Sequence, residues 1–413
     1  LTGRPPLPQG PYLIVGLARS GVAAARMLRS HGEVLATDSA GPDLPDDLDA
    51  QLGSDGLDLL ERAACVVKSP GVPNEAAVIA RARERGVPVM GELELAWRLL
   101  PNRFVAVTGT NGKTTTVELL GAIWRAAGLP VAVAGNVGTP LSALVGEVDP
   151  DATIVCEVSS FQAEDAVEFA PDVGLLLNLT EDHLDRHGTF AAYRDAKLRM
   201  FARQTAEQVA IAPAGVELPG SGRRLEPGAL PLAPGEIRLR GAHNLENAMG
   251  AAAAALAAGV PRAAVADALR GFAGVPHRLE EVGTVDGVLY VNDSKATNVS
   301  SAVRGIESFE GGVHAILGGS LKGGGFEGLR DAVAARCRAC YLIGEATDRL
   351  AADLGAAGVP LHRCGDLEAA VDAARAAAEP GEVVLLSPAC ASYDQFHDYE
   401  ERGDRFRALS SPA

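Results

Sequence analysis

Lysine is nearly missing from this chain: five lysines stand against 32 arginines among 413 residues. Cations of either kind are outnumbered, and the formal charge of −16 with a pI near 5.0 argues against general binding to nucleic acid or to an anionic membrane surface. Long apolar runs are also lacking. The longest, residues 248–260, is mostly alanine and too short to span a bilayer. The six cysteines are scattered. Cys337 and Cys340 form a CxxC, but no second ligand pair has the spacing of a zinc site, so reduced, packed thiols in a cytoplasmic protein are expected. The chain opens on Leu1 rather than Met, which points to a trimmed N-terminus.

What is present is concentrated in loops. Four of the five lysines lie in short motifs: Lys113 in GTNGKTT, Lys197 in YRDAKLRM, Lys295 in NDSKATN and Lys322 in GGSLKGGGF; the fifth, Lys68, lies in VVKSPG. Where arginine serves for generic surface charge, the remaining lysines mark places that need a compact ammonium or a neutral amine.

A chain of this length needs two or three cores. Three α/β blocks are expected, at 1–92, 93–274 and 275–413. In the first, a buried strand at 11–16 leads through the turn GLARSG (16–21) into a helix near 22–30, then a strand at 34–37 ending at Asp38. That is a nucleotide-binding βαβ unit. Ala18 replaces the second glycine of the dinucleotide pattern, so the turn reads as a phosphate seat rather than a NAD site. A strand at 64–67 and the loop Ser69, Pro70, Gly71 follow. The second block places GTNGKTT between a strand at 104–107 and a helix at 117–127. Its further strands at 153–158 and 173–177 are continuous apolar runs, the mark of a parallel sheet covered on both faces. Residues 215–235 read as loops, and a helix at 244–258 closes the block. The third block has strands near 289–291, 315–317, 341–343 and 383–386. Asp293, Lys295, Lys322 and Ser387 fall at their C-terminal ends, where open sheets bind ligands.

GTNGKTT is the sharpest signal. Backbone N–H groups and the helix dipole cradle phosphates, Lys113 reaches the outer phosphates, and the Thr114 hydroxyl suits Mg2+. Glu157 is either a helper in holding that ion or a solvated strand end. In DHLDRH, His183 and His187 are spaced i, i+4 without the HExxH of zinc proteases. A divalent metal shared with phosphates fits better, with a capping or surface role open for His187. Lys197, on a helix at 190–201, reads by itself as a solvent-exposed residue. Cys390, in SPACASYDQF, reads as a buried thiol.

Together these motifs resemble the Mur ligases, ATP-dependent amino-acid ligases of peptidoglycan precursor synthesis. GTNGKTT, DHLDRH, GAHNLENAM (241–249) and the HRLE segment from His277 carry the family match. NDSKATN and SPACASYDQF narrow it towards the member that adds D-glutamate to UDP-N-acetylmuramoyl-L-alanine. The resemblance spans the chain in order. It implies a Rossmann-like N-terminal domain for the sugar nucleotide, a P-loop-type central ATPase domain with a parallel sheet, and a dinucleotide-fold-like C-terminal domain for the amino acid. It implies a cytoplasmic, monomeric enzyme of cell-wall biogenesis that uses ATP and two Mg2+ ions.

The residues follow motif by motif. Gly16, Leu17, Arg19, Ser20, Gly21, Asp38, Ser39, Ser69, Pro70, Gly71, Asn136 and His183 are implied for the UDP substrate. Gly109, Thr110, Asn111, Gly112, Lys113, Thr114, Thr115, Asn244, Asn247, Arg278, Asp293 and Lys295 are implied for ATP. Thr297, Lys322, Ser392 and the backbone around Tyr399 are implied for D-glutamate. Lys113, His183 and Lys197 would be catalytic, and Thr114, Glu157, His183 and Lys197 would serve the metal, Lys197 after carbamylation by CO2. That last implication overturns the solvent-exposed reading. Folylpolyglutamate synthetase would share GTNGKTT but not SPACASYDQF. A NAD-linked oxidoreductase would need the glycine that Ala18 replaces.

Overall fold

The computed structural model describes residues 3–233, 236–237, 239, 241–321 and 324–410. The chain forms two compact units, Leu1–Glu236 with Glu246–Arg270, and Ile237–Leu245 with Gly271–Ala413. Lys322 lies outside the described residues.

The first unit holds two parallel sheets. One consists of β1 (Tyr12–Val15), β2 (Val34–Asp38), β3 (Gln51–Leu52), β4 (Cys65–Lys68) and β5 (Val89–Gly91), in the order β3-β2-β1-β4-β5. The order reverses at β1, so the crevice of this Rossmann-like sheet opens at Gly16. The other consists of β6 (Phe104–Thr108), β7 (Val131–Gly135), β8 (Thr153–Glu157), β9 (Val173–Leu176), β10 (Val209–Ile211) and β11 (Arg223–Leu225), in the order β11-β10-β9-β6-β8-β7. Here the reversal falls at β6, directly before GTNGKTT. Phe104, Ala106, Ile154 and Cys156 are fully buried, as strands covered on both faces require.

The second unit holds a mixed sheet. Its strands are β12 (Glu280–Val285), β13 (Val288–Asn292), β14 (Val313–Gly318), β15 (Cys337–Ile343), β16 (Leu361–Gly365) and β17 (Val383–Leu386), in the order β12-β13-β17-β14-β15-β16. Only β12 runs antiparallel.

The elements depart from expectation in instructive ways. The first helix spans Arg19–Leu28 and the phosphate-loop helix Lys113–Ala126, each starting earlier than hydrophobic periodicity suggests. Periodicity marks the first apolar turn, whereas each of these helices starts in its polar turn. β11 sits inside the stretch read as loops. As a three-residue edge strand it needs no apolar face of its own. β7 was not anticipated, although it borders β8 through five paired residues.

Within the first unit, buried polar contacts tie the helix after β5 (Glu92–Leu99) to the segment before β9. Glu94, fully buried, accepts hydrogen bonds from the backbone N–H groups of Val167, Glu168 and Phe169 at 2.9–3.1 Å and pairs with Arg98 at 2.7 Å. Glu94→Ala strands those donors and is expected to cost about 3 kcal/mol in a denaturant melt.

Candidate active site

At the C-terminal end of the second sheet, register brings three strand ends together. Glu157 of β8 lies opposite Val107 of β6 on one side and Gly135 of β7 on the other. The Glu157 carboxylate is buried. Its Oε2 accepts the Thr114 hydroxyl at 2.8 Å and its Oε1 accepts the Asn136 amide at 3.0 Å. The solvated-end reading of Glu157 therefore gives way to a buried carboxylate facing the phosphate loop.

The loop between β6 and its helix is shaped by glycine. Gly112 has φ +84°, and a Cβ there would stand 2.0 Å from Asn247 Oδ1. Asn111 N–H donates to Asn178 Oδ1 at 2.9 Å, and the Thr110 hydroxyl donates to Thr180 O at 3.1 Å. The Lys113 ammonium folds back on its own loop, donating to Gly109 O at 3.0 Å and Thr110 O at 2.9 Å. Gly109 O also accepts Lys197 Nζ at 2.8 Å, so two lysines converge on one carbonyl.

Lys197 is 2% exposed, which corrects the exposed-helix reading. Burial, with Lys113 nearby, lowers its pKa from 10.5 to about 7. Its ammonium stands 4.5 Å over the Tyr193 ring, whose hydroxyl reaches Thr110 Oγ1 at 3.0 Å. Sequence reading missed Tyr193, although its i, i+4 spacing to Lys197 on one helix was available as a signal.

His183 opens the short helix Leu184–His187 in a left-handed conformation, φ +51°. Its ring is half exposed and lies 3.7 Å from Asp182 Oδ2. His187 instead bonds Ser160 Oγ at 3.0 Å and stacks on Phe161, so the two rings are not a metal pair of matched roles. Burial lowers the His187 pKa. Among the described residues no group of three His, Cys, Asp or Glu could hold a metal by itself.

A cavity of about 570 Å³ adjoins this site. Its walls are residues 16–20, Asp38, Ser39 and residues 69–73 from the first sheet, with Gly135, Asn136 and Gln162 from the second. Asp38 Oδ2 accepts Leu17 N–H at 2.7 Å and Ser69 Oγ donates to Gly16 O at 2.7 Å, bracing the turn. Gly21 lies beneath it, where a Cβ would meet Gly16 O at 1.9 Å. Asn136 belongs to both places: it lines the cavity and bonds Glu157.

The second unit carries its own cluster. Asp293 is buried, accepts Ser387 Oγ at 2.8 Å and Leu279 N–H at 3.2 Å, and burial pushes its pKa up to about 7. Lys295 Nζ stands 3.4 Å from the centroid of the Tyr399 ring. Thr297 N–H bonds Lys295 O at 2.8 Å, and Ser392 is buried. Asn244 and Arg278 belong to the same unit, whereas Asn247 falls in the first. Arg402, fully buried and missed in the sequence, donates to Ser294 O, Cys390 O and Ala391 O at 2.8–3.2 Å. Nothing local in YEERGD distinguishes it from a solvated helix residue. Cys390 is buried and all six cysteines are free.

Three family models match the chain: a Mur ligase MurD-like N-terminal domain at residues 11–91, a Mur ligase middle domain at 107–219, and a Mur ligase glutamate ligase domain at 277–390. Proteins named UDP-N-acetylmuramoylalanine--D-glutamate ligase from Acidobacterium capsulatum and Pelotomaculum thermopropionicum are each 41% identical over 96% of this chain, covering 95% and 96% of their own lengths. Two Thermotoga maritima structures share the fold. UDP-N-acetylmuramate-alanine ligase has a TM-score of 0.57 at 18% identity, covering 98% of this chain and 100% of its own. MurF ligase in complex with ADP has a TM-score of 0.59 at 16% identity, covering 98% and 94%.

The loop geometry yields a test. Gly112→Ala forces a left-handed alanine, roughly 1–2 kcal/mol of strain, into the Asn247 side chain. Calorimetry with Mg·ADP should show affinity reduced about tenfold or more.

Proposed function

The chain belongs to the Mur ligase family, and we propose that it joins D-glutamate to UDP-N-acetylmuramoyl-L-alanine at the expense of ATP, in peptidoglycan precursor synthesis. The observation that carries this reading is Asn136, which ties the wall of a nucleotide-sized cavity to Glu157 and through it to the phosphate loop. Residues 1–92 would hold the UDP substrate, 93–274 ATP, and 275–413 the amino acid.

The reaction activates a carboxylate. The substrate carboxylate attacks the γ-phosphorus and ADP leaves, forming an acyl phosphate. The D-glutamate amine then attacks the acyl carbon, loses a proton, and phosphate departs from the tetrahedral intermediate. The protein positions reactants and balances charge. Lys113 and the loop N–H groups would neutralise phosphates. Asn136 and His183 would face the sugar nucleotide. Asp293 and Lys295 would meet the nucleotide, and Thr297, Lys322, Ser392 and Tyr399 the D-glutamate.

The Thr114 hydroxyl and the Glu157 carboxylate are hard oxygen donors 2.8 Å apart. One carboxylate and one hydroxyl, completed by phosphate and water, fit Mg2+, which seldom uses an all-protein cage. Thr114 and Glu157 would hold the ion there, and it would supply positive charge to offset the phosphates. An unaccompanied Glu157 beside phosphates would repel them.

Lys197 fits carbamylation on physical grounds. With its pKa near 7, much of the amine is neutral at neutral pH and able to add CO2. The nitrogen forms a bond to carbon, loses a proton and becomes a carbamate anion. It keeps one N–H for Gly109 O, and its proximity to Lys113 changes from repulsion to attraction. The new oxygens would then serve the metal beside His183.

Two experiments test this. Phosphate release from Mg·ATP with UDP-N-acetylmuramoyl-L-alanine should depend on D-glutamate and not on L-glutamate, with the matching mass gain on the sugar nucleotide. Release stimulated only by L-glutamate on a folate would favour the folylpolyglutamate reading. Separately, Lys197→Ala should lower kcat at least 100-fold, roughly 3 kcal/mol in the barrier. Because only the neutral amine reacts, wild-type activity should depend on added bicarbonate more steeply at about pH 6 than at about pH 8. Equal activity with and without bicarbonate at both would remove the carbamate role.

A further inference from the structure

Lys68 is the one lysine that the reaction above leaves without a task, yet it is 0% exposed. It ends β4, immediately before the loop that walls the cavity. Its Nζ lies 2.8 Å from Asp165 Oδ2 and donates to Val72 O at 2.9 Å. Val72 O accepts a second cation, Arg186 Nη2, also at 2.9 Å, and Arg186 Nη1 donates to Gly71 O at 3.3 Å.

The counter-charges are neighbours in sequence. Asp165 faces Lys68, and Glu164 lies 3.5 Å from Arg186. The Arg186 guanidinium covers the Phe161 ring at 5.2 Å, and Phe161 packs against His183 with ring centroids 4.9 Å apart. One carbonyl of the cavity wall is thus held by two cations. One is anchored on the segment after β8 and the other on the turn that carries His183.

We propose that Lys68 and Arg186 are positioning residues that clamp Val72, fixing the sugar-nucleotide loop in register with the His183 turn. The inference rests on the cavity taking the UDP substrate. Lysine suits the inner place because a compact ammonium brings only three N–H donors, two of them directed to the Asp165 carboxylate and the Val72 carbonyl. A guanidinium there would bring five N–H groups into a space without solvent. Arginine suits the outer place, where its fork spans two successive carbonyls and its plane lies on an aromatic ring.

Removing Lys68 alone would leave the buried Asp165 with only Arg83, 4.0 Å away, as counter-charge, so the test uses the neutral pair Lys68→Met with Asp165→Asn. Arg186→Met and Arg186→Lys are made beside it. Thermal melting establishes folding, and Mg·ADP affinity reports the phosphate loop independently. The expected result is a rise of about tenfold in KM and in the calorimetric Kd for UDP-N-acetylmuramoyl-L-alanine, with kcat and Mg·ADP affinity within about threefold of wild type. Arg186→Lys should recover part of the loss. Folded variants with wild-type KM, or with kcat lowered and KM unchanged, would overturn the clamp alone. Wild-type enzyme that fails to bind the sugar nucleotide would overturn the functional reading and the clamp with it.

Discussion

The site depends on one buried carboxylate. Glu157 is placed by register, at the end of the strand between β6 and β7. Adjacent strands lie about 4.8 Å apart, so side chains and loops leaving three neighbouring C-terminal ends must meet. Glu157 exploits this by receiving Thr114 from one side and Asn136 from the other. A carboxylate out of water needs such partners, and each partner is thereby fixed. The phosphate loop and the cavity wall consequently have a set spacing before any ligand arrives.

Among the described residues, lysines follow the same logic of satisfied charge. Lys68, Lys113 and Lys197 each donate to backbone carbonyls inside the first unit, and Lys295 stands over an aromatic ring in the second. Arginine is used differently. Arg402 fans its donors across the carbonyls after β13 and β17, organising several loop ends at once, and burial lowers its pKa to about 10. Still charged at neutral pH, it can brace but cannot act as a nucleophile. The Lys197 amine, near 7, can.

These distinctions set the limit of what sequence could reveal. The GTNGKTT loop was legible as a turn between a strand and a helix because its pattern of glycine, lysine and threonine is local. The parallel sheets were legible from continuous apolar runs such as TIVC. The burial of Lys197 was not, because its helix presents charged neighbours Arg194 and Asp195 on the exposed face. Only family resemblance raised it above a surface residue. Lys68 met Asp165, and Arg186 met Val72, across about a hundred residues of chain. Pairings of that kind leave no periodic trace. β11 escaped for a related reason, since a short edge strand is specified by its neighbour β10 rather than by its own composition.

A net charge of −16 sharpens the consequence. The proposed substrates, a sugar nucleotide, ATP and glutamate, are all anions. At physiological ionic strength the general repulsion is screened beyond about 8 Å, so it slows approach more than it weakens contact. On the proposed reading, affinity would come from donors within hydrogen-bonding reach: loop N–H groups, Lys113, and the cation proposed at Glu157 and Thr114. Short-range binding tolerates little displacement. That is why the molecule commits buried charges such as Glu94, Lys68 and Glu157 to fixing loop positions. It is also why placing two lysines on the Gly109 carbonyl is acceptable there. Their mutual repulsion in the free protein would be relieved by bound phosphate charge, or by the carbamylation proposed for Lys197.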